Sequence, residues 1–204
     1  MILALDTCGL DFSLCLLKEG KIVLDYFYSE EKKHCEKLVL AIEDLLAKAQ
    51  ITYSDLTALV ITKGPGSFNG IRIGYSAASA IALVKNIPLF SFNSLVAIFY
   101  QALNKREINF PVTLAYLLDK NSALRQNFSN AEDTSQKLEK VDLMALQTES
   151  HLFSLGDFSW KGAKISKAAA VGLAFFANKN NLKSEEGILY GKEPSIDKKL
   201  LLLT

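Results

Sequence analysis

The sequence predicts an α/β fold, a mixed sheet flanked by helices. Three observations lead there. The first 28 residues alternate between apolar and polar, or nearly so, in three short runs, the pattern of strands in a meander. From His34 onward the apolar period lengthens to that of a helix. Beyond it, strand-like and helix-like segments take turns, an order that places helices over a sheet.

The elements follow in chain order. Ile2, Leu3 and Leu5 start the first strand, Phe12, Leu14 and Leu16 the second, and Ile22, Leu24 and Tyr26 the third. Cys8-Gly9-Leu10-Asp11 and Glu19-Gly20 read as the turns between them. Leu38, Ile42, Leu45, Leu46 and Ala49 form the apolar face of a helix, with Glu36, Glu43, Asp44 and Lys48 opposite. A buried strand is expected from Leu56 to Thr62, broken by Gly64-Pro65-Gly66. A second helix is expected from Gly70 to Val84, ending at Asn86 before Pro88. Leu89 to Phe92 is the next strand, and Asn93-Ser94 caps a helix reaching Leu103. Residues 104–109 are polar and mark a boundary between expected domains at 1–104 and 105–204. Past it, Val112–Leu118 and Ala123–Phe128 are expected to pair, 129–140 to be a loop, Ile165–Lys179 a helix and Gly187–Gly191 a last strand.

Composition narrows the function. The 204 residues are 50% hydrophobic and 22% charged, the make-up of a globular chain with one large domain or two small ones. A net charge of +1 excludes nucleic-acid binding by bulk charge. The three cysteines, Cys8, Cys15 and Cys35, form no CxxC, which fits a reducing compartment and argues against a zinc knuckle. Met1 leads directly into a strand pattern, and no stretch has the length of a membrane span, so a cytoplasmic protein is expected.

The most informative segment is Thr62 to Gly74, between a strand and a helix. Gly64, Pro65, Gly66, Ser67, Phe68, Asn69 and Gly70 form a glycine loop of the kind that holds an anion on backbone N–H groups. The Walker pattern is not met, since Gly70-Ile71-Arg72 stands where Gly-Lys-Ser/Thr is needed. The plainer reading is a tight connection in which Phe68 plugs the core. The helix that follows is apolar on every side, with Arg72 its only charge before Lys85. Such a helix must be covered on every side. Gly74, Ala78 and Ala82 lie four apart, a small-residue stripe that lets another helix approach. That helix comes from residues 35–50 or, the reading placed slightly ahead, from another protein.

A catalytic set does not emerge. His34 and His151 make no HExxH pair, and Cys35 follows His34 too directly to share a helix face with it. Asp6 ends the first strand, where a carboxylate holds magnesium or, more commonly, bonds nearby backbone N–H groups.

Taken together, I-L-A-L-D-T at the start, H-x-E-x-L from His34, G-P-G-S-F-N-G-I-R-I-G, the alanine-rich helix, Ile87-Pro88 and Ser94-Leu95 closely resemble the bacterial TsaB family over residues 1–100. The resemblance implies an actin-like, ribonuclease H-like fold with a second, smaller divergent copy. It implies a non-catalytic subunit that pairs with a TsaD-like catalytic subunit and works with a TsaE-like ATPase to make threonylcarbamoyladenosine (t6A) in tRNA. No metal or cofactor is implied for this chain, and its contact with tRNA is left open. TsaD carries a histidine metal motif that TsaB lacks. The family's helical bundle maps onto His34–Gln50 and Gly70–Val84, with His34, Leu38, Val39, Ile42, Arg72, Tyr75, Ala78, Ser79 and Ala82 as candidate contacts, in a heterodimer or in a homodimer. The chain departs from the family at Asn69 and Cys8, where Thr and Ser are usual, around Asp119, and at Leu189-Tyr190-Gly191-Lys192. The alternatives are a magnesium-dependent ATP-hydrolysing enzyme using Asp6 and the glycine loop, and, further off, a metallopeptidase-like protein.

Overall fold

The computed structural model describes residues 1–9, 11–28, 34–105, 110–118, 121–131, 138–142, 152–155 and 166–178. The expected meander is present as β1 (Ile2–Asp6), β2 (Phe12–Lys18) and β3 (Lys21–Tyr28), paired antiparallel. Helix α1 (His34–Lys48) crosses to β4 (Ala58–Thr62), which lies parallel to β1. Helix α2 (Phe68–Lys85) crosses to β5 (Leu89–Phe92), parallel to β4. The strand order is β3-β2-β1-β4-β5.

Local chemistry explains the ends of α2. Ser67 caps its start by accepting from the Gly70 N–H at 3.2 Å. Asn86 closes it at φ 51°, the left-handed conformation that asparagine tolerates, and Ile87 N–H returns to Ala82 O at 3.0 Å. The helix therefore begins two residues before the expected Gly70.

The second sheet repeats the plan of the first in shorter form. After α3 (Ser94–Lys105), β6 (Val112–Leu117) pairs antiparallel with β7 (Ser122–Phe128), and β7 with β8 (Glu139–Asp142). Strand β9 (Leu152–Leu155) lies parallel to β6, so the order is β8-β7-β6-β9. Meander plus parallel fourth strand is the arrangement of β3-β2-β1-β4 again, the second, smaller copy that was expected.

Two short strands were not anticipated. The span 129–140 was expected to be loop, yet β8 begins at Glu139. Nothing was expected at β9. Each has four residues, too few to establish a period, and pairing with β7 or β6 alone makes it a strand. The strand expected at Gly187–Gly191 lies outside the described residues.

The first sheet is covered on both faces. Leu3, Leu5, Phe12, Leu14, Leu16, Leu59 and Ile61 pack under α1 and α2. Ile2, Ala4, Cys15, Leu17, Ala58 and Val60 pack under α3 and α4 (Lys167–Asn178), joined there by Val112, Leu114 and Phe128 of the second sheet. Helix α4, which a division at 104/105 assigns to the second half, thus packs on the first sheet.

Candidate functional site

The carboxyl ends of β1, β4 and β5 meet at the glycine loop. The loop is stitched to its neighbours by backbone bonds: Ser67 N–H to Cys8 O at 2.7 Å, Lys63 N–H to Phe92 O at 2.8 Å and Ser94 N–H to Gly64 O at 2.7 Å. A Cβ on Gly70 would stand 2.0 Å from Thr7 O, and one on Gly74 would stand 2.1 Å from Thr7 Oγ1. The glycines let α2 touch the end of β1, as a tight strand-to-helix connection requires. Phe68 does not plug the core. It is half-buried at the first position of α2, with the exposed Arg72 guanidinium 4.0 Å above its ring.

Asp6 lies beside this loop and is fully buried. Its Oδ1 accepts from the Cys8 N–H at 3.2 Å and from the Thr62 hydroxyl. The first of these is the turn bond expected for it. Its Oδ2 is ion-paired with Lys167 Nζ at 3.0 Å, and the lysine side chain is only 7% exposed. Sequence reasoning missed Lys167: 161 positions separate the pair, and a lone lysine opening an alanine-rich helix carries no signal of its own.

Three adjacent strands hold the start of α4. Asp25 of β3 accepts from Ser166 N–H at 2.9 Å, Ser13 of β2 accepts from Ala168 N–H at 3.1 Å, and Asp6 of β1 takes the Lys167 ammonium. Ser166 Oγ caps the helix by accepting from Ala169 N–H at 3.0 Å. A magnesium ion held by Asp6, the alternative raised by the sequence, does not fit this donor set, because an ammonium of the chain itself pairs with that carboxylate.

The neighbouring thiol is inert. Cys8 Sγ donates to Thr62 at 3.3 Å, and burial together with the Asp6 charge pushes the thiol up to about 12. Cys15 is likewise buried and its thiol is pushed well above the ordinary value, burial being the main cause.

The candidate contact residues divide. Leu38, Ile42, Ala78 and Ala82 point into the chain's own core, with exposures of 1%, 0%, 0% and 8%. The Gly74-Ala78-Ala82 stripe therefore serves the close approach of α2 to its own sheet, not to a foreign helix. Val39 and Arg72 are exposed, and Tyr75 and Ser79 are half-buried. The side chain of His34 lies outside the described residues. On the outward side of α2, Arg72, Ser76, Ala80 and Val84 follow one another at four-residue spacing, with Leu83 alongside. Leu83 is 82% exposed and Val84 79%. Val39 and Leu40 of α1 are also exposed. At the end of α2, Tyr53, Ala80, Ile81, Val84 and Lys85 line an apolar cavity of about 260 Å³. Sequence reasoning did not single out Leu83 and Val84 as contacts, although the absence of charge between Arg72 and Lys85 was the available signal.

Comparison with known proteins adds to this geometry. A family model described as TsaD, tRNA N6-adenosine threonylcarbamoyltransferase, matches residues 24–188. The tRNA threonylcarbamoyladenosine biosynthesis protein TsaB of Bacillus subtilis is 34% identical over 94 residues, 46% of this chain and 41% of that protein. The tRNA N6-adenosine threonylcarbamoyltransferase of Ligilactobacillus salivarius is 29% identical over 127 residues, 54% of this chain and 37% of that one. The chain thus spans well under half the length of these two curated relatives. Among solved structures, YeaZ from Pseudomonas aeruginosa superposes with a TM-score of 0.67 at 18% identity, covering 88% of this chain and 92% of that chain, a likeness of fold. Among the described residues, no helix is long and apolar enough to cross a membrane.

Proposed function

The chain belongs to the TsaD-type threonylcarbamoyltransferase family, on its TsaB side, and on that premise we propose that it is a non-catalytic scaffold subunit. It binds a TsaD-type catalytic subunit through the outward side of α1 and α2, and with a TsaE-type ATPase it supports formation of t6A in tRNA, in the cytoplasm. The proposal keeps the division of the chain at 104/105, with α4 of the second half returning to pack on the first sheet.

One observation carries the reading. The outward side of α2 from Ser76 to Val84 is uncharged and built of small or aliphatic residues, while its inward side is already spent on the chain's own sheet. Water is a poor neighbour for Leu83 and Val84, and Ser76 and Ala80 allow a second helix to lie close. An ordinary interface needs roughly 800 Å² per partner, within the reach of two helices of 15 and 18 residues.

The ATP-hydrolysing alternative loses ground at Asp6, whose carboxylate is paired inside the chain. The test is Leu83→Asp/Val84→Asp, a double variant that leaves every buried side chain in place. It is expected to stay folded, to lose co-purification with the TsaD-type subunit, and to lose support of tRNA modification in a reaction reconstituted with TsaD and TsaE. Co-purification equal to the parent's overturns the interface, and full modification without this chain overturns the function. A loss of self-association alone, read by sedimentation, assigns the surface to a homodimer instead.

A further inference from the structure

We infer that Lys167 is a tethered cation, filling from within the chain a cation site built on Asp6, and that this site accepts a small free cation once the ammonium is removed. The inference does not depend on the scaffold reading, since it concerns the carboxyl end of the first sheet and not the outward side of α1 and α2.

Asp6 has no exposed surface, so its charge must be balanced inside the protein. Among the described residues the balance comes from the Lys167 ammonium at 3.0 Å on Oδ2, while Oδ1 is occupied by the Thr62 hydroxyl and the Cys8 N–H. The lysine is held there against its local electrostatics. It occupies the first position of α4, where the helix dipole is positive and an ammonium is disfavoured. The compensation is structural: Ser13 on β2, beside the Asp6 strand, and Asp25 on β3, one strand further out, hold the backbone N–H groups of Ala168 and Ser166 on either side of Lys167. The ammonium also has room, because the bare Gly9 lies beside it and a Cβ there would stand 3.0 Å from Nζ. Shortening the lysine leaves a buried carboxylate with its Oδ2 unpaired and a space the size of an ammonium beside the bare Gly9. That is the chemistry of a small-cation site, and in the parent chain it is filled by a residue that cannot leave.

The experiment uses the full chain, with Lys167→Ala and Lys167→Gln beside the parent. Manganese(II) binding is read by electron paramagnetic resonance. Methylammonium chloride is titrated in thermal melts against a sodium chloride control. The parent is expected to respond to neither probe. At least one variant is expected to gain manganese binding that the parent lacks, or to gain a methylammonium-dependent rise in its melting midpoint. That response is expected to vanish in the Asp6→Asn/Lys167→Ala double variant. Should the single variants not fold unaided, refolding in methylammonium but not in sodium supports the inference, and refolding in neither overturns it. Manganese bound at Asp6 in the parent overturns it, as do folded single variants that respond to neither probe because the carboxylate takes up a proton alone.

Discussion

Helices α2 and α3 look alike in sequence, both apolar nearly all round, yet the fold treats them differently. In α3, Leu95, Val96, Ala97, Ile98 and Phe99 are all fully buried. The first sheet lies on one side, α4 on another, and Phe99 stacks on Phe128 of the second sheet at 3.9 Å between ring centroids. In α2 only Gly70, Ile71, Gly74, Ala78 and Ala82 are buried, and Leu83 and Val84 face outward. An apolar helix is thus a statement that cover is needed, not of who provides it. The chain's second half supplies the cover for α3 and, among the described residues, leaves the outward side of α2 exposed.

Substitutions that break this contrast come first. Phe99→Ala is expected to cost about 3–5 kcal/mol in urea melts, the usual range for deleting a fully buried aromatic ring. Leu83→Ala, equally a truncation of a large apolar side chain but outside the chain's own core, is expected to stay within about 0.5 kcal/mol of the parent. Comparable losses at the two sites mean that α2 is as enclosed as α3.

Lys167→Met sharpens the contrast from the side of α4. Leaving Asp6 buried and unpaired is expected to cost roughly 3–5 kcal/mol, and Asp6→Asn/Lys167→Met is expected to recover most of it, since removing both charges avoids the unpaired one. A double variant no more stable than the single one removes the ion pair from the account of how α4 docks.

A smaller effect is expected at the inner stripe of α2. Gly74→Ala places a Cβ 2.1 Å from Thr7 Oγ1, an overpacking worth about 1–3 kcal/mol, and Thr7→Ala in the same chain is expected to return part of it. Gly74→Ala without cost places the close approach elsewhere. The smallest effect is a silence. With its thiol pushed up to about 12, Cys8 is expected to resist alkylation in the native protein at pH 8.5 and to react once urea unfolds the chain, as read by mass spectrometry. The same shift makes the Cys8 contribution to stability complete below the ordinary thiol value of 9.0 and lost as pH rises toward 12. A Cys8 alkylated as fast in the folded as in the unfolded protein breaks that burial argument.

Much of the architecture was legible residue by residue. Periodicity located the meander, α1, β4, α2 and β5 because each is long enough, or bounded sharply enough, for its own period and caps to appear. Asn86 and Pro88 mark the end of α2, and the expected start at Gly70 falls two residues inside the helix. Strands β8 and β9, as short as β5 but without a Pro before them or a helix cap after them, carried no such pattern. In the site, the glycine loop and Asp6 were visible as local motifs, whereas the inward or outward facing of Leu38, Ile42, Ala78 and Ala82 was not, because a helix apolar all round has no polar face to orient it.

By itself, then, the sequence determined the order and kind of the main elements, the scarcity of histidine, and the presence of helices that demand cover. These follow from spacing and residue type, which act over a few positions. Only the tertiary structure decided that Lys167 meets Asp6, that the small-residue stripe of α2 turns toward its own sheet, and that Leu83 and Val84 remain outside. Those outcomes rest on contacts between distant segments, and the energy that selects them, burial of apolar surface and of paired charge, exists only once the segments have come together.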